Sequence, residues 1–378
     1  MAAAATTSSS STLPTHHRAL VLETLEEGFS VKTVPTPQPG PGSVVVRIIE
    51  AGVISYHRDI YNGKRHYDFP KPIVGGLSAI ARIVAVGEDA VVLEPGQLVY
   101  VDCVIHARDN PDSLFLTAIH DGVDAASRKL SSDVWRDGAF AEYMKAPLEN
   151  CFRLDEDRLC RELGYTTREL MYMMYMLVPF GGLRDIGVEP GETVVVCPAT
   201  GGFGGAGVQV AVSMGARVIA MGRNEKELAR VKEHVEKGKP SAEIETVKIS
   251  GDYETDVAAL QPFGTIDAVI DLTPQWASKS THLKSAIQSL RRNGRCSMMG
   301  FIEDVIVWNS IALNITIKGK LMYEREDIVL FVKMMERGLF PRGKDLVVPK
   351  VYKMEEWKEA LDAAAEWTGI GKTVMIEP

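Results

Sequence analysis

The sequence predicts an α/β protein with a doubly wound parallel sheet in its second half and a strand-rich region before Leu154. Three observations predict it. Strand and helix patterns alternate from Thr193 to Met299 with short connections, as parallel strands joined by crossover helices do. A glycine-rich turn around Gly202, Gly204 and Gly207 links a β-branched strand to a helix. Before Leu154 the alternation is missing, and short β-branched runs are punctuated by Pro and Gly, the texture of a β-rich unit.

At 378 residues the chain suits two domains better than one core. A net charge of -8 argues against nucleic acid as the main partner, because phosphate backbones need a basic face. The five cysteines, Cys103, Cys151, Cys160, Cys197 and Cys296, are scattered and never spaced C-x-x-C. That excludes a disulfide scaffold and a zinc knuckle, and fits a reducing cytoplasm. No apolar run is long enough to span a bilayer. The Ala/Thr/Ser-rich opening has neither a basic n-region nor an apolar h-region, so it reads as a disordered tail over residues 1–17.

Arg18–Glu23 and Ser43–Ala51 read as strands on either side of Pro35, Pro37, Pro39 and Pro41. Ile80–Val86 and Gln97–Val101 continue the series. Arg161–Leu177 is helical in composition, its methionines suited to core packing. Thr193–Cys197 is a strand, Gly204–Met214 a helix and Arg217–Met221 a strand. Glu225–Glu236 is an amphipathic helix with Leu228, Val231 and Val235 on one face. Strands follow at Thr246–Ile249, Asp267–Asp271 and Arg295–Met299, with a helix carrying Leu283, Ile287 and Leu290 that stops at Gly294. After Phe340 come a strand at Val347–Tyr352, a helix at Glu355–Glu366 and a strand at Lys372–Ile376, which can rejoin the first unit.

The glycine turn carries the chemistry. G-x-G-x-x-G is weak alone, but here it follows a strong strand and opens a helix, the context of a dinucleotide site. Glycine allows the tight turn and the close approach of backbone to a pyrophosphate, and the helix N-terminus presents N–H groups to the anion. At the end of the next strand an NAD site usually carries Asp or Glu. This chain has Gly222 followed by Arg223, a small residue and a guanidinium that accommodate and pair with a 2′-phosphate. The expected cofactor is NADP(H).

Pro39-Gly-Pro-Gly-Ser-Val-Val-Val-Arg, Ala51-Gly-Val, Ile83-Val-Ala-Val-Gly, Gly96-Gln-Leu-Val-Tyr-Val and Gly138-Ala-Phe-Ala-Glu-Tyr, with the glycine turn, resemble the medium-chain dehydrogenase/reductase superfamily. The resemblance implies a GroES-like catalytic domain over residues 18–155 and 340–378 and a Rossmann domain over 156–339, with the active site between them. It also implies a small-molecule substrate and a homodimer. It places Thr200, Gly202, Gly204, Gly205 and Gly207 on the pyrophosphate, and Arg223 with Asn224 at the adenosine end. Thr273, Gly300 and Phe301 fall at strand ends facing the nicotinamide.

The chain also departs from that family. Its zinc alcohol dehydrogenases begin their metal site with Cys in a G-V-C-H-like segment, whereas Gly52-Val53-Ile54-Ser55 stands here. They continue with G-H-E, where this chain reads Gly76-Leu77-Ser78. Ile54 and Leu77 offer zinc no donor atom, and Cys103 with His106 lacks further partners, so no metal is expected. Without a Lewis acid, hydride addition to an activated C=C of an enone, enoyl compound or quinone is favoured over ketone reduction. Tyr56, aligned with the proton-relay hydroxyl of the zinc enzymes, and His57 beside it are the candidate catalytic residues. A zinc-independent carbonyl reductase or alcohol dehydrogenase is the close alternative. A non-redox or scaffolding use of the cofactor fold is the third, suggested by Ala79-Ile80-Ala81 where Gly-Ala-Gly is usual.

Overall fold

The computed structural model describes residues 13–303 and 312–378. Most of the expected tail therefore lies outside the described residues. From His16 onward the β-branched runs pair into two main sheets, largely antiparallel, beside a short antiparallel pair of Val104–His106 and Leu114–Leu116. A small sheet joins Phe29–Pro35 to His16–Leu22 and His16–Leu22 to Ile73–Val74. A larger one is built around the 11-residue strand Ser43–Val53, which pairs with Ala79–Val86, Tyr143–Pro147 and Lys372–Glu377. Val44, Val45 and Val46 are fully buried, as β-branched side chains on a strand flanked on both sides are.

The C-terminal segment adds two strands to the larger sheet. Lys372–Glu377 lies antiparallel to Ser43–Val53, and Val348–Lys353 adds to it in parallel. The helix Trp357–Glu366 connects these two strands.

Six parallel strands form the second sheet, in the order Ile244–Lys248, Arg217–Gly222, Thr193–Cys197, Ala268–Asp271, Arg295–Met298 and Thr316–Gly319. In chain order this is 3-2-1-4-5-6, the dinucleotide-binding arrangement, with its crevice where the order reverses beside Thr193–Cys197. Val194, Val195, Val196 and Cys197 have no exposed surface, as a central strand covered on both faces requires.

Two sequence expectations need correction. The helix expected at Arg161–Leu177 is interrupted. A first helical stretch ends at Glu162, Gly164 takes a left-handed φ of 79°, and Thr166 and Glu169 cap Thr167–Met171 reciprocally. The longer helix Met173–Asp185 follows. The helix expected to run on to Gly294 is His282–Gln288, so Leu290 lies beyond it. Its last turn tightens, with the Ser289 N–H shared between the Ser285 and Ala286 carbonyls, and Asn293 turns the chain with a φ of 61°. The structure also adds the strands Phe29–Pro35 and Thr316–Gly319 and the helix Tyr253–Leu260, whose patterns are weak or exposed, and the helix Arg325–Glu336, whose buried Ile328, Phe331, Val332 and Met335 follow helical spacing that the sequence reading passed over.

Candidate active site

The glycine turn sits at the carboxyl end of Thr193–Cys197 and opens the helix Gly202–Ser213. A side chain at Gly204 would run into the carbonyl oxygen of Pro198, so the turn closes only with glycine there. Gly205 lies against the backbone of Ile370, where a Cβ would stand 2.5 Å from its Cα. Gly201 differs. It occupies the N-cap position with no capping side chain, is exposed, and a Cβ there would meet nothing within 4 Å. An uncapped helix start with open space before it is a cradle that a pyrophosphate fits. Sequence reasoning passed over Gly201 because it stands outside the motif spacing.

At the next strand end, a Cβ on Gly222 would lie 2.8 Å from the Thr200 methyl and 3.1 Å from Leu228. There is no room for the acidic side chain of an NAD site. Arg223 is exposed, and its guanidinium lies 4.9 Å from the ring of Trp276, itself 74% exposed. Asn224 caps the helix Glu225–Gly238 by accepting from the N–H groups of Lys226 and Glu227 at 3.0 and 3.3 Å. Its side-chain oxygen is thus engaged in the fold.

Thr273 and Phe301 lie at neighbouring strand ends, the Phe301 N–H donating to the Thr273 carbonyl at 2.9 Å. The Thr273 hydroxyl is buried. It donates to Asp271 Oδ1 and lies 2.8 Å from His282 Nε2, whose Nδ1 is 2.5 Å from the Ser280 hydroxyl. Gly300 is held close to this network, since a Cβ there would stand 2.5 Å from Asp271 Oδ2. Cys197, Asp271 and His282 form the one trio of closely placed metal-type donors among the described residues. Asp271 and His282 are already joined by hydrogen bonds through Thr273, and the Cys197 thiol donates to the Ile270 carbonyl. Phe301, by contrast, is 44% exposed at the edge of the cleft.

The facing wall comes from the first unit. Gly52 N–H donates to the Ser78 carbonyl at 3.1 Å, so the two segments that would supply zinc ligands do lie side by side. Their side chains do not fit the metal. Ile54 and Leu77 are 1% and 5% exposed within the hydrophobic core, and Ser78 is fully buried. Cys103 is buried with its thiol 3.9 Å from the Tyr323 hydroxyl, and His106 lies 2.7 Å from the Pro111 carbonyl, so the two share no centre.

Tyr56 and His57 are adjacent in sequence but part ways. His57 has no exposed surface and packs against the rings of Tyr61 and Phe140. Its Nδ1 accepts from the Ile54 N–H at 3.4 Å and its Nε2 has no partner. Burial pushes its pKa down to about 3, so the ring is neutral. Tyr56 is half-buried, with its ring centroid 6.3 Å from that of Phe203 in the glycine turn. Burial raises its phenol above the ordinary tyrosine value, an effect the Arg65 guanidinium 4.1 Å above its ring opposes. A phenol held protonated can donate to a developing oxyanion. The structure therefore brings Tyr56, Phe203 and Phe301 to one cleft and leaves His57 behind its wall. Arg65 was missed from sequence because nothing in Lys64-Arg65-His66 separates it from a solvated basic run.

A parallel sheet with a glycine turn at its switch point, facing a β-rich unit across a cleft, defines a dinucleotide-dependent oxidoreductase fold. Comparison with known proteins agrees. Residues 40–156 match the alcohol dehydrogenase GroES-like domain and residues 202–337 the zinc-binding dehydrogenase domain. The chain belongs to the medium-chain dehydrogenase/reductase superfamily, and is an oxidoreductase of the kind that works with a nicotinamide-type cofactor. It is 28% identical to alcohol dehydrogenase 1 of Emericella nidulans, over 91% of this chain and 95% of that protein. It is 27% identical to the acryloyl-coenzyme A reductase of Metallosphaera sedula, over 58% of this chain and 63% of the reductase. An Escherichia coli alcohol dehydrogenase solved with NADH superposes with a TM-score of 0.75 at 19% identity, covering 97% of this chain and all of the other.

Proposed function

We propose that this chain is a zinc-independent, NADPH-dependent reductase acting on an activated C=C, as in an enone, an enoyl compound or a quinone. The observation that carries the reading is the closed apolar packing of Ile54 and Leu77 where a zinc dehydrogenase places its metal ligands. A ketone needs strong polarisation to accept hydride, whereas a conjugated alkene needs only a hydrogen bond or a proton at the developing enolate.

The chain's own residues supply what remains. Gly201 and the start of the helix Gly202–Ser213 hold the pyrophosphate. Gly222 sets no carboxylate against a 2′-phosphate, and Arg223 pairs with it. When bound, the dinucleotide supplies the hydride. The Tyr56 phenol, protonated at neutral pH, donates a hydrogen bond to the carbonyl oxygen of the acceptor. The Tyr56 and Phe203 rings, 6.3 Å apart, form an apolar wall beside the reacting face. Sequence likeness to an acryloyl-coenzyme A reductase supports C=C reduction, while likeness to alcohol dehydrogenases favours the carbonyl alternative.

The test follows NADPH consumption by protein dialysed against 1,10-phenanthroline, with enones, quinones and matched aldehydes offered in parallel. Turnover of an enone or quinone that survives chelation is expected. Turnover confined to aldehydes, or abolished by the chelator and restored by zinc, overturns the proposal.

A further inference from the structure

Arg65 stands in this cleft with no acid beside it. Its guanidinium lies 4.1 Å from the centroid of the Tyr56 ring, 4.7 Å from that of Tyr67 and 5.2 Å from that of Phe301. Only one of its hydrogen bonds is made, from Nη2 to the Tyr67 hydroxyl at 2.6 Å. Its Nε is buried and without a partner, and no carboxylate of the described residues lies within 4 Å of it. Several other half-buried arginines of the fold are neutralised, whereas Arg217, among the described residues, meets only the carbonyl and ring of Phe263. Arg58 meets Asp362 at 3.1 Å, Arg82 meets Glu156 at 2.9 Å, and Arg291 pairs with Asp267.

A guanidinium presents flat faces to aromatic rings and in-plane N–H groups to oxyanions. Here three rings lie around the guanidinium carbon, Nη2 is taken by Tyr67, and Nη1 is the in-plane donor that is neither bonded nor buried. A cation partly removed from water, with a buried donor unmet, is costly unless something completes it. Its position says what that is. Tyr56 belongs to one wall of the cleft and Phe301 to the other, at the carboxyl ends of the parallel strands. Arg65 touches both, and it sits over the ring of the residue that donates to the acceptor's carbonyl.

We propose that Arg65 anchors a carboxylate of the substrate, so that the acceptor is an α,β-unsaturated carbonyl compound carrying an acid group. The inference rests on the reductase reading of the cleft, and it adds the charge class of the substrate. The planar carboxylate takes the free N–H edge of Arg65 and presents the conjugated carbonyl toward the Tyr56 phenol.

The test uses 4-oxopent-2-enoate and its methyl ester, a pair with the same enone and different charge, with the full-length wild type, Arg65→Met and Arg65→Lys. The wild type should favour the acid over the ester in kcat/KM by about tenfold or more. Arg65→Met should erase that preference, and Arg65→Lys should restore part of it, because a lysine keeps the charge and loses the fork. Titration of the saturated 4-oxopentanoate into the NADPH complex gives a readout without turnover, and its binding should vanish in Arg65→Met. If the wild type prefers neither acid nor ester, or fails to bind 4-oxopentanoate, the anchor is wrong even where the ester is reduced. If Arg65→Met weakens NADPH as much as the acid, Arg65 serves a cofactor phosphate and the proposal falls. If nothing is reduced while 4-oxopentanoate binds through Arg65, the anchor stands and the C=C reductase reading fails. The acid-to-ester ratio of the wild type decides the matter even if a variant misfolds.

Discussion

The glycine turn and the floor of the cleft are built on opposite principles. At the turn the backbone does the work. Gly204 is required by the Pro198 carbonyl, Gly222 by the Thr200 methyl, and the helix start offers its N–H groups whatever side chains surround it. At the floor nothing is decided by backbone. Tyr56, Arg65 and Tyr67 are ordinary residues of one loop-and-helix segment that meet Phe301 only because the fold brings a distant strand end to them. A backbone-built site fails all at once when a Cβ is added, whereas a side-chain-built site loses one function at a time.

The strongest test of that contrast is a pair of substitutions within the turn. Gly204→Val forces the strand and helix apart at Pro198, and dinucleotide binding should drop beyond detection together with several degrees of Tm. Gly201→Ala has open space and should leave Tm unchanged while weakening NADPH, as followed by quenching of protein fluorescence. If Gly201→Ala binds NADPH as tightly as the wild type, the space before the helix does not belong to the cofactor.

At the floor the corresponding change is Tyr56→Phe. Loss of a single proton donor should lower turnover of a conjugated acceptor by about a hundredfold, with NADPH affinity and Tm held near the wild type. Unchanged turnover would move the donor elsewhere, to water or to another side chain of the cleft.

Arg223→Ala sharpens the comparison at the adenosine end, where the turn's logic passes to a side chain. NADPH affinity should fall by about tenfold or more and NADH affinity should stay level, because one charge-assisted contact is lost and only NADPH makes it. Equal affinity of the wild type for both cofactors would remove the basis for NADP specificity. Trp276, stacked near Arg223, is invisible to motif reading and is the next residue to vary.

The same contrast explains what was legible in the sequence. Thr193–Cys197 and the glycine turn could be read because a buried parallel strand must be β-branched throughout and a pyrophosphate turn must be glycine. The departures at Ile54 and Leu77 were legible for the same reason, since a zinc ligand admits few residue types. Arg65 was not, because its meaning lies in three rings contributed by Tyr56, Tyr67 and Phe301. Nor was the fate of His57. Local sequence placed it beside Tyr56, and only the packing of Tyr61 and Phe140 shows that one step along a short helix carries it from the cleft into the core. The Asp271, Thr273 and His282 network was hidden because its members come from a strand end and a later helix.

His57 supplies an effect on stability with little on turnover, one that separates a packed imidazole from a catalytic one. Its folded-state pKa, pushed down to about 3 by burial, lies below the ordinary 6.5 of the unfolded chain. The unfolded state therefore binds the extra proton first, and stability present above pH 6.5 is lost as pH falls toward the folded value. At pH 5 the loss is about 2 kcal/mol, from 1.5 units of unequal protonation at roughly 1.4 kcal/mol each. Asp102 acts with the opposite sign. Burial raises it to about 6 against the Tyr323 hydroxyl that donates to it, so its contribution is present at low pH and is lost as pH rises toward 6. The two partly cancel in the wild type, which is why a variant is needed. His57→Phe keeps a ring between Tyr61 and Phe140 and removes the titration, so its Tm should fall less between pH 7 and pH 5 than that of the wild type, with turnover moved far less than by Tyr56→Phe. Parallel Tm curves for the two proteins would mean that His57 reaches protons in the folded state, and would return it to the cleft as a working acid–base group.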